Sequence, residues 1–411
     1  MKLPKKEKLL EVYGEDVKVK ERYKYLSEKF QENFNEDNFD FFSAPGRTEI
    51  IGNHTDHNGG KVIAASISMD TIGAAALNNS NLIKVISEGY EEIVVDITRL
   101  DSIKKGNGTV SLIAGIVEGT INQGFKISGF NCYITTEVIA AAGVSSSASF
   151  EMLLCSIINY FFNENTMSIV DYAKIGQYAE NVYWKKDSGL MDQMACAAGG
   201  AIYLDFSNEV KYKKIDFNLQ RHGYKLVIVN TEGDHADLSN LYSSIPKEMY
   251  SVSNAMGCNK LSERTFKEFL DNLGKLNSTV ENDRAILRAL HFYEENIRVE
   301  NVLNYMDDDN LINMFNMIEE SGNSSWKLLQ NCYYENKKQN IIKTLALSEL
   351  FIKLKGRGCC RVHGGGFAGV IMCILNEEDV NDYIEFISKI IKKDNIYDLN
   401  IRKVGAIHLE K

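Results

Sequence analysis

The segment from Ala44 to Gly60 restricts what this chain can fold into more than any other. It places a cation, two carboxylates, two imidazoles and several hydrogen-bonding side chains within seventeen residues. Turn-forming residues open and close it, and only Ile50 and Ile51 in its middle have the character of core residues. We therefore predict a short strand that leads into a loop displaying polar groups. A folded chain gains nothing by ordering these groups together unless they bind something; the alternative is a solvated loop beside an edge strand.

The length and composition bound the number of domains. A chain of 411 residues, of which 44% are hydrophobic and 25% charged, is long enough for two domains with sizeable cores. The stretch 207–222 is polar and is predicted to cross between them. We place the first domain at 1–216 and the second at 217–411.

The formal charge of −10 gives the chain no overall basic field, so nucleic acid is not expected as a partner. An anionic ligand would need local help from Arg47, Lys61, backbone amides or a metal. The eight cysteines are scattered, which predicts small core residues in a reducing compartment. No apolar run approaches membrane-spanning length. We expect a cytoplasmic protein without a membrane partner, a monomer or a weak homo-oligomer.

Hydrophobic periodicity and turn residues predict a mixture of helices and strands. Helices are expected at 5–33, 110–123, 150–161, from 168 to about 186, from about 190 to 199, at several places between 239 and 355, and at 377–393. Strands are expected at 41–42 leading into the opening segment, 62–65, 71–77, 82–87, 93–97, 130–135, 201–206, 225–230, 370–375 and near 403–408.

A loop of small residues, Ala141 to Ser147, lies between a predicted strand and a strongly periodic helix. Its amides and hydroxyls would therefore stand at a helix N-terminus, where the helix dipole favours an anion such as phosphate. It is not a Walker A loop, because no G-x-x-x-x-G-K-[ST] occurs. Serines that only cap the helix are the alternative.

Two carboxylates follow that helix in the sequence. Glu180 lies near the end of the next predicted helix, and Asp192 lies just past the break at Gly189. A metal-bound triphosphate would use one carboxylate to hold Mg²⁺ and another to orient or deprotonate an attacking hydroxyl. The alternative is a surface Glu and an Asp that caps the next helix.

Two other motifs favour simpler interpretations. The segment from Gly364 to Gly369 formally contains G-x-G-x-x-G, but an apolar strand follows it instead of a helix, so a tight turn is predicted. His54 to His57 approaches the H-x-H-x-D-H pattern of zinc hydrolases. Position 52 is Gly where the first His should stand, and the other histidines lack metal-ligand spacing, so we do not expect a zinc hydrolase.

Taken in order, three segments resemble the three signatures of the GHMP small-molecule kinases, and specifically those of the galactokinase family. Ala44 to Gly60 is similar to the sugar-binding signature, Val144 to Glu151 to the phosphate-loop motif, and Gly358 to Gly369 to the C-terminal glycine motif. Gly189 to Gln193 adds the G-x-M-D-Q element. The resemblance implies an α+β fold of two lobes with the site between them. The first lobe would resemble ribosomal protein S5 domain 2, and the second would be ferredoxin-like.

The resemblance also implies roles for single residues. Arg47 would stabilise negative charge on the transferring phosphoryl group and lower the pKa of Asp192, which would act as base or electrostatic partner for the anomeric hydroxyl. The sugar contacts would come from Asn53, His54, Thr55, Asp56 and Tyr242, the last of which follows His235 to Leu238. ATP would be bound by Ser87, Ala141, Ala142, Gly143, Val144, Ser145, Ser146 and Ser147. Mg²⁺ would lie on Ser147 and Glu180.

The sequence departs from the family pattern at three places. Asn53 stands where these kinases usually carry Glu, and an amide both donates and accepts, so hydroxyl recognition could survive or shift. Ala141 and Ala142 stand where the family prefers Gly-Ser after a Pro, and a Cβ at 141 would restrict the approach of phosphates and raise the KM for ATP. His363 and Ala368 replace Thr and Gly.

The function implied by the resemblance is the ATP- and Mg²⁺-dependent phosphorylation of the anomeric hydroxyl of galactose, giving alpha-D-galactose 1-phosphate. Two alternatives stay open at this point. One is a kinase for another galacto-configured sugar such as N-acetylgalactosamine, and the other is a non-catalytic sensor that binds galactose and ATP. The presence of both Arg47 and Asp192 favours catalysis.

Overall fold

The computed structural model describes residues 3–15, 17–106, 108–139, 143–186, 188–231, 238–335, 338–367 and 369–411. Within these ranges the helices are α1 (Lys6–Tyr13), α2 (Val17–Phe34), α3 (Gly108–Asn122), α4 (Ser146–Phe162), α5 (Ile169–Tyr178), α6 (Met191–Ala198), α7 (Ser239–Ala255), α8 (Phe266–Asp271), α9 (Leu273–Thr279), α10 (Asp283–Asp307), α11 (Leu311–Ser324), α12 (Asn340–Lys355) and α13 (Val380–Ile387). The strands are β1 (Asp40–Ile51), β2 (Lys61–Leu77), β3 (Leu82–Ser87), β4 (Ile93–Asp96), β5 (Phe130–Thr136), β6 (Ala201–Asp205), β7 (Lys211–Ile215), β8 (Tyr224–Asn230), β9 (Cys359–His363), β10 (Val370–Asn376), β11 (Ile396–Leu399) and β12 (Ile407–Leu409).

The larger sheet is built around the long strand β2. Along one side β2 pairs with β1, and along the other it pairs first with β6 and then with β5, all antiparallel. Strands β12, β3, β4 and β7 extend the sheet outward from these three neighbours. Helices α3, α4 and α5 bury one face of the sheet, and α2 packs its aromatic residues against the other. The segment 44–60 therefore belongs to this sheet, because it lies on β1 and the loop that follows it.

The smaller sheet has the order β11-β8-β10-β9, with every neighbouring pair antiparallel. Its apolar residues alternate between two faces, because successive side chains of a strand point in opposite directions. Leu226 and Ile228 pack with residues of α10 and α11, whereas Val227 and Val229 pack with residues of α12 and α13. The first of these clusters also contains Ile50 and Ile51, which joins β1 to the smaller sheet.

Most predicted elements are present, and the differences have physical causes. Segments 62–65 and 71–77 form one continuous strand, β2, because partners from distant parts of the chain satisfy the polar residues between them. Ser66 exchanges backbone hydrogen bonds with Gly200 and Arg402, and the fully buried Asp70 accepts from Arg22 and Arg402. The strand near 403–408 is shorter and later than predicted, and the helix at 377–393 is limited to α13.

Three strands were not predicted from the sequence. β7 lies within the stretch 207–222 that was predicted as a polar crossover, and four of its five residues are exposed, so it lacks apolar alternation. β9 contains the fully buried Arg361, which interrupts its apolar pattern. β11 is a short edge strand beside β8. The domain boundary at 216 and 217 stays a prediction.

All eight cysteines are free and buried, which confirms the prediction that they are small core residues. Burial raises the pKa of the thiols of Cys155, Cys196 and Cys359 well above the usual value, so these thiols stay protonated. Among the described residues, none of the helices is long and apolar enough to cross a membrane.

Candidate active site

Arg47 and Asp192 form the centre of the candidate site. Arg47 lies on β1, and Asp192 lies in the first turn of α6, where the helix dipole favours a negative charge. The guanidinium donates through Nε to Oδ1 at 2.8 Å and through Nη2 to Oδ2 at 2.9 Å. Such a bidentate pair fixes both groups in one plane. The Arg47 side chain is 7% exposed and that of Asp192 is 26% exposed, so part of the carboxylate remains open.

The environment of Asp192 keeps it ionised. Burial alone would raise its pKa, but the ion pair with Arg47 outweighs that effect and lowers the pKa to about 2. Further favourable contributions come from Lys186 and from Ser145, whose hydroxyl donates to Oδ2. The expected lowering of the Asp192 pKa by Arg47 therefore matches the arrangement of the charges. The catalytic roles of both residues stay predictions.

The phosphate-loop segment, which belongs to the second sequence motif, lies beside Arg47 and Asp192. Gly143 and Ser145 have φ of 64° and 59°, and this left-handed turn leads directly into α4. Arg47 holds the turn through two hydrogen bonds, because its Nη1 donates to Gly143 O and its backbone N–H donates to Val144 O. Val144 is buried, and Ser145 faces Asp192. Ala141 and Ala142 lie outside the described residues.

A buried polar cluster lies behind the loop at the start of α4. Ser147 Oγ donates to Glu180 Oε1 at 2.8 Å, and Lys186 Nζ lies 2.7 Å from the same oxygen. Gln193 Nε2 donates to both Glu180 and Glu151, at 3.3 and 3.1 Å. Burial, followed by the nearby charge of Glu180, raises the pKa of Glu151 well above its usual value. The two residues predicted to hold Mg²⁺ are thus in direct contact.

The residues predicted to contact the sugar lie on the loop after β1. His54 has φ of 59°, and its Nε2 lies 3.1 Å from Gly365 O. Burial lowers the pKa of His54 to about 3, so the imidazole is neutral. Asp56 packs against Gly189, where a Cβ would stand 1.7 Å from Oδ2, so only glycine fits beside it. The hydroxyl of Thr55 donates to carbonyl oxygens of its own loop.

Asn53 differs from its neighbours because both atoms of its side-chain amide are fully hydrogen-bonded to protein groups. Nδ2 donates to Glu49 Oε1 at 3.0 Å and to Gly364 O at 2.7 Å. Oδ1 accepts from Asn331 at 2.9 Å and from Ser325 at 3.3 Å. The residue is fully buried. Asn53 would contact a sugar only by giving up one of these bonds, and its predicted role as a sugar contact stays untested.

The last two predicted residues occupy different positions. Tyr242, on α7, donates from its hydroxyl to Gly366 O at 3.1 Å, and its ring lies so close to Gly365 that a Cβ there would meet it at 2.4 Å. Tyr242 and His54 therefore converge on the glycine turn of the third motif. Ser87 ends β3 beside Ile134 of β5, and its predicted contact with the nucleotide stays a prediction.

A network of buried charges behind the site was not predicted from the sequence. Arg361 Nη2 pairs with Glu49 Oε1 at 2.7 Å, and Glu295 Oε1 accepts from the backbone N–H groups of Gly52 and Asn53. Arg298 and Ser321 hold the Glu295 carboxylate, while His291 Nε2 donates to Asn53 O at 2.9 Å. The sequence signal for this network is weak: Glu49 directly precedes Ile50 and Ile51, and Arg361 lies between Cys360 and Val362. Their pairing joins β1 to the smaller sheet.

Comparison with known proteins agrees with this geometry. A family model for the galactokinase galactose-binding signature matches residues 28–77, and one for the GHMP kinases N terminal domain matches 111–200. The galactokinase of Clostridium perfringens (strain 13 / Type A) is 31% identical over 377 residues, which cover 89% of this chain and 93% of that protein. The chain belongs to the galactokinase family. The galactokinase of Limosilactobacillus reuteri (strain DSM 20016) is 30% identical over 92% of this chain and 96% of its own length.

Solved structures agree with the galactokinase assignment and with the fold. The crystal structure of Lactococcus lactis galactokinase complexed with galactose matches with a TM-score of 0.82 and 26% identity, covering 93% of this chain and 98% of that one. A mevalonate kinase matches with a TM-score of 0.62 at 14% identity over 88% of this chain and 99% of its own, and so shares the fold alone. The predictions of a galactokinase-family enzyme and of the α+β GHMP kinase fold are confirmed.

Proposed function

We propose that this protein transfers the γ-phosphoryl group of ATP to the anomeric hydroxyl of galactose, forming alpha-D-galactose 1-phosphate. The observation that carries the proposal is the bidentate pair between Arg47 and Asp192 beside the 143–147 turn. It combines a partly open carboxylate with a cation that already contacts the phosphate loop. Membership of the galactokinase family and the matching galactose-binding signature support galactose as the sugar.

In this proposal Asp192 receives the anomeric hydroxyl and Arg47 stabilises the phosphoryl group in transfer. A carboxylate with a pKa of about 2 is a weak base, which favours its acting as a fixed acceptor that orients the hydroxyl. Arg47 is buried, so its charge acts in a poorly screened environment on the negative charge of the transition state. Phosphoryl transfer needs mainly positioning and electrostatic stabilisation, and this pair supplies both.

The ATP phosphates would lie over the 143–147 turn at the N-terminus of α4. Ser147 and Glu180 would hold the Mg²⁺ of the nucleotide, which neutralises phosphate charge when bound. The donor set fits a hard cation, because it consists of oxygens. Within the described residues, the buried Glu151 Oε1 and Gln193 Oε1 beside it have no hydrogen-bond partner. Lys186 would have to share or release Glu180. Among the described residues, no group of three His, Cys, Asp or Glu side chains forms a metal site.

The experiment that tests the proposal is ADP release by the purified protein with MgATP and a panel of sugars. The panel contains galactose, N-acetylgalactosamine, glucose, arabinose and a blank without sugar. Turnover that depends on galactose, with phosphate at the anomeric position, is the expected result. Turnover only with another sugar of the panel would keep the phosphoryl transfer and assign a different sugar as the substrate. Absence of turnover, together with calorimetric binding of galactose and ATP, would favour a sensor and contradict the proposal.

A further inference from the structure

His363 is a buried histidine beside the phosphate loop. It ends β9 directly before the glycine turn and is 1% exposed. Its Nδ1 atom has no hydrogen-bond partner within the part of the chain that the structure describes. Buried polar groups in folded proteins are nearly always hydrogen-bonded, so each exception needs an explanation.

The hydrogen bonds on the other ring nitrogen fix which atom holds the proton. His363 Nε2 accepts from the backbone N–H of Glu49 at 3.0 Å, and the hydroxyl of Thr48 lies 3.0 Å from the same atom. A backbone N–H can only donate, so Nε2 carries no proton. Burial and the nearby cations Arg47 and Arg361 lower the pKa of His363 well below its usual value, so the ring is neutral. The single ring proton therefore lies on Nδ1.

The position of this proton connects it to the site. Nδ1 lies 3.5 Å from where a Cβ of Gly143 would stand, and Gly143 has none. The carbonyl oxygen of Gly143 accepts from Arg47, which also holds Asp192. This donor thus lies beside the turn that begins the phosphate loop, next to Gly143 and the side chain of Val370.

We propose that His363 donates its Nδ1 proton to a phosphate oxygen of the bound nucleotide. This inference rests on the proposed function, because it takes ATP as the ligand of the 143–147 turn. It assigns a phosphate contact to the position where the family motif has Thr, a residue whose hydroxyl is also a donor. A hydrogen bond to a charged oxygen is stronger than one between neutral groups, so its loss should be visible in nucleotide affinity.

The first test is NMR of the full chain labelled with ¹⁵N at histidine, with His363→Gln used to assign the signal. The free protein should show the neutral tautomer with the proton on Nδ1. AMP-PNP and ADP should shift this proton signal downfield, whereas adenosine, which has no phosphate, should leave it unchanged. A Nδ1 signal that does not respond to either nucleotide would overturn the inference.

A matched pair of variants supplies the second test. In His363→Asn the amide can place a donor where Nδ1 stood, whereas in His363→Gln it can keep only the acceptor at the Nε2 position. We expect His363→Gln to raise the KM for ATP about tenfold or more. His363→Asn should stay near the wild-type value, and the KM for the sugar should change little in both. An equal KM for ATP in the two variants would indicate a structural role and overturn the inference.

The two proposals can fail separately. One outcome is that calorimetry shows binding of AMP-PNP by the wild-type protein while the Nδ1 signal of His363 does not shift and the two variants have equal KM values for ATP. In that case only the role of His363 is wrong. If the wild-type protein binds neither AMP-PNP nor ADP, the proposed function is wrong, and the inference is wrong with it.

Discussion

Two arginine–carboxylate pairs begin two residues apart on β1 and differ in their surroundings. Arg47 holds Asp192 through two hydrogen bonds, and the carboxylate keeps 26% of its surface exposed. Glu49 pairs with Arg361 at 2.7 Å, with side-chain exposures of 3% and 0%, and Asn53 donates to the same carboxylate. The two pairs thus combine the same chemical groups in an open and in a closed environment.

The difference in exposure between the two pairs indicates that β1 contributes both to the reaction and to the stability of the fold. The open carboxylate of Asp192 has oxygen surface left for a substrate hydroxyl, so its pair is suited to a reaction. The closed pair has none, and its partners come from the smaller sheet and from the loop after β1. We therefore expect changes to the first pair to affect turnover, and changes to the second to affect the free energy of unfolding.

The largest expected effect is on turnover in Asp192→Asn. The amide keeps the size of the side chain but loses the charge that accepts the hydroxyl, so kcat should fall about 10³-fold or more. Sugar binding, measured by calorimetry, should be largely kept. Asp101→Asn, at an exposed position, is the control and should retain full activity. Near-normal kcat in Asp192→Asn would mean that the acceptor role is wrongly assigned.

The next effect concerns the closed pair. Glu49→Gln leaves the Arg361 charge buried without its partner, which should lower the free energy of unfolding by about 3 kcal/mol or more. Denaturant unfolding followed by circular dichroism measures this change. The double variant Glu49→Gln, Arg361→Met removes both charges and should recover part of the loss. A stability loss equal to that of a surface substitution would show that the pair is not closed to water.

Arg47→Ala tests the cation of the open pair. Loss of one donor to developing charge typically costs about 10²-fold in rate, so kcat should fall by about that factor. The KM for the sugar should change less than kcat, because the guanidinium acts on the phosphoryl group. As a control, Lys61→Ala removes the cation at the start of β2 that pairs with the exposed Glu300, and it should change little. A larger effect on the sugar KM than on kcat would contradict this role for Arg47.

The smallest effect is a pH dependence of stability. The pKa of Asp192 is lowered from 3.8 to about 2 in the folded state, so its ion pair contributes stability that is fully present above about pH 4. That contribution, on the order of 2 kcal/mol, is lost as the pH falls from about 4 to 2. The stability difference between wild type and Asp192→Asn should shrink over this range. A difference that is constant between pH 5 and pH 2 would show that the pKa is not lowered.

The sequence predicted those parts of the site that local patterns encode. The glycine-punctuated segment at 44–60, the small-residue loop before α4 and the glycine turn at 364–369 each consist of neighbouring residues with recognisable turn or capping chemistry. A capping box of Ser168 and Asp171 begins α5, where a helix from 168 was predicted. Such features depend on residues within one or two turns of the chain, so they can be read without knowing the tertiary structure.

The partners of the buried polar groups could not be predicted in this way. Asn53 was assigned to a sugar from its place in the motif, but its amide is engaged by Asn331, Ser325 and Gly364, roughly 300 residues away. β2 was predicted as two strands because the polar residues in its middle are satisfied by partners that lie elsewhere in the chain, among them Arg22, Gly200 and Arg402. A hydrogen bond between distant residues leaves no periodic trace in either segment.

The amino-acid sequence was sufficient to predict a mixture of helices and strands, because periodicity, turn residues and helix caps are local. The order of its three motifs carried the family resemblance, which in turn implied the class of fold and the residues for phosphoryl transfer. Only the tertiary structure showed that Glu49 is closed off with Arg361, and only there is the Nδ1 atom of His363 found without a hydrogen-bond partner among the described residues. The physical reason is that burial and charge pairing depend on the packing of β1 against α6 and β9. These elements lie far apart in the chain and meet only when both sheets are formed.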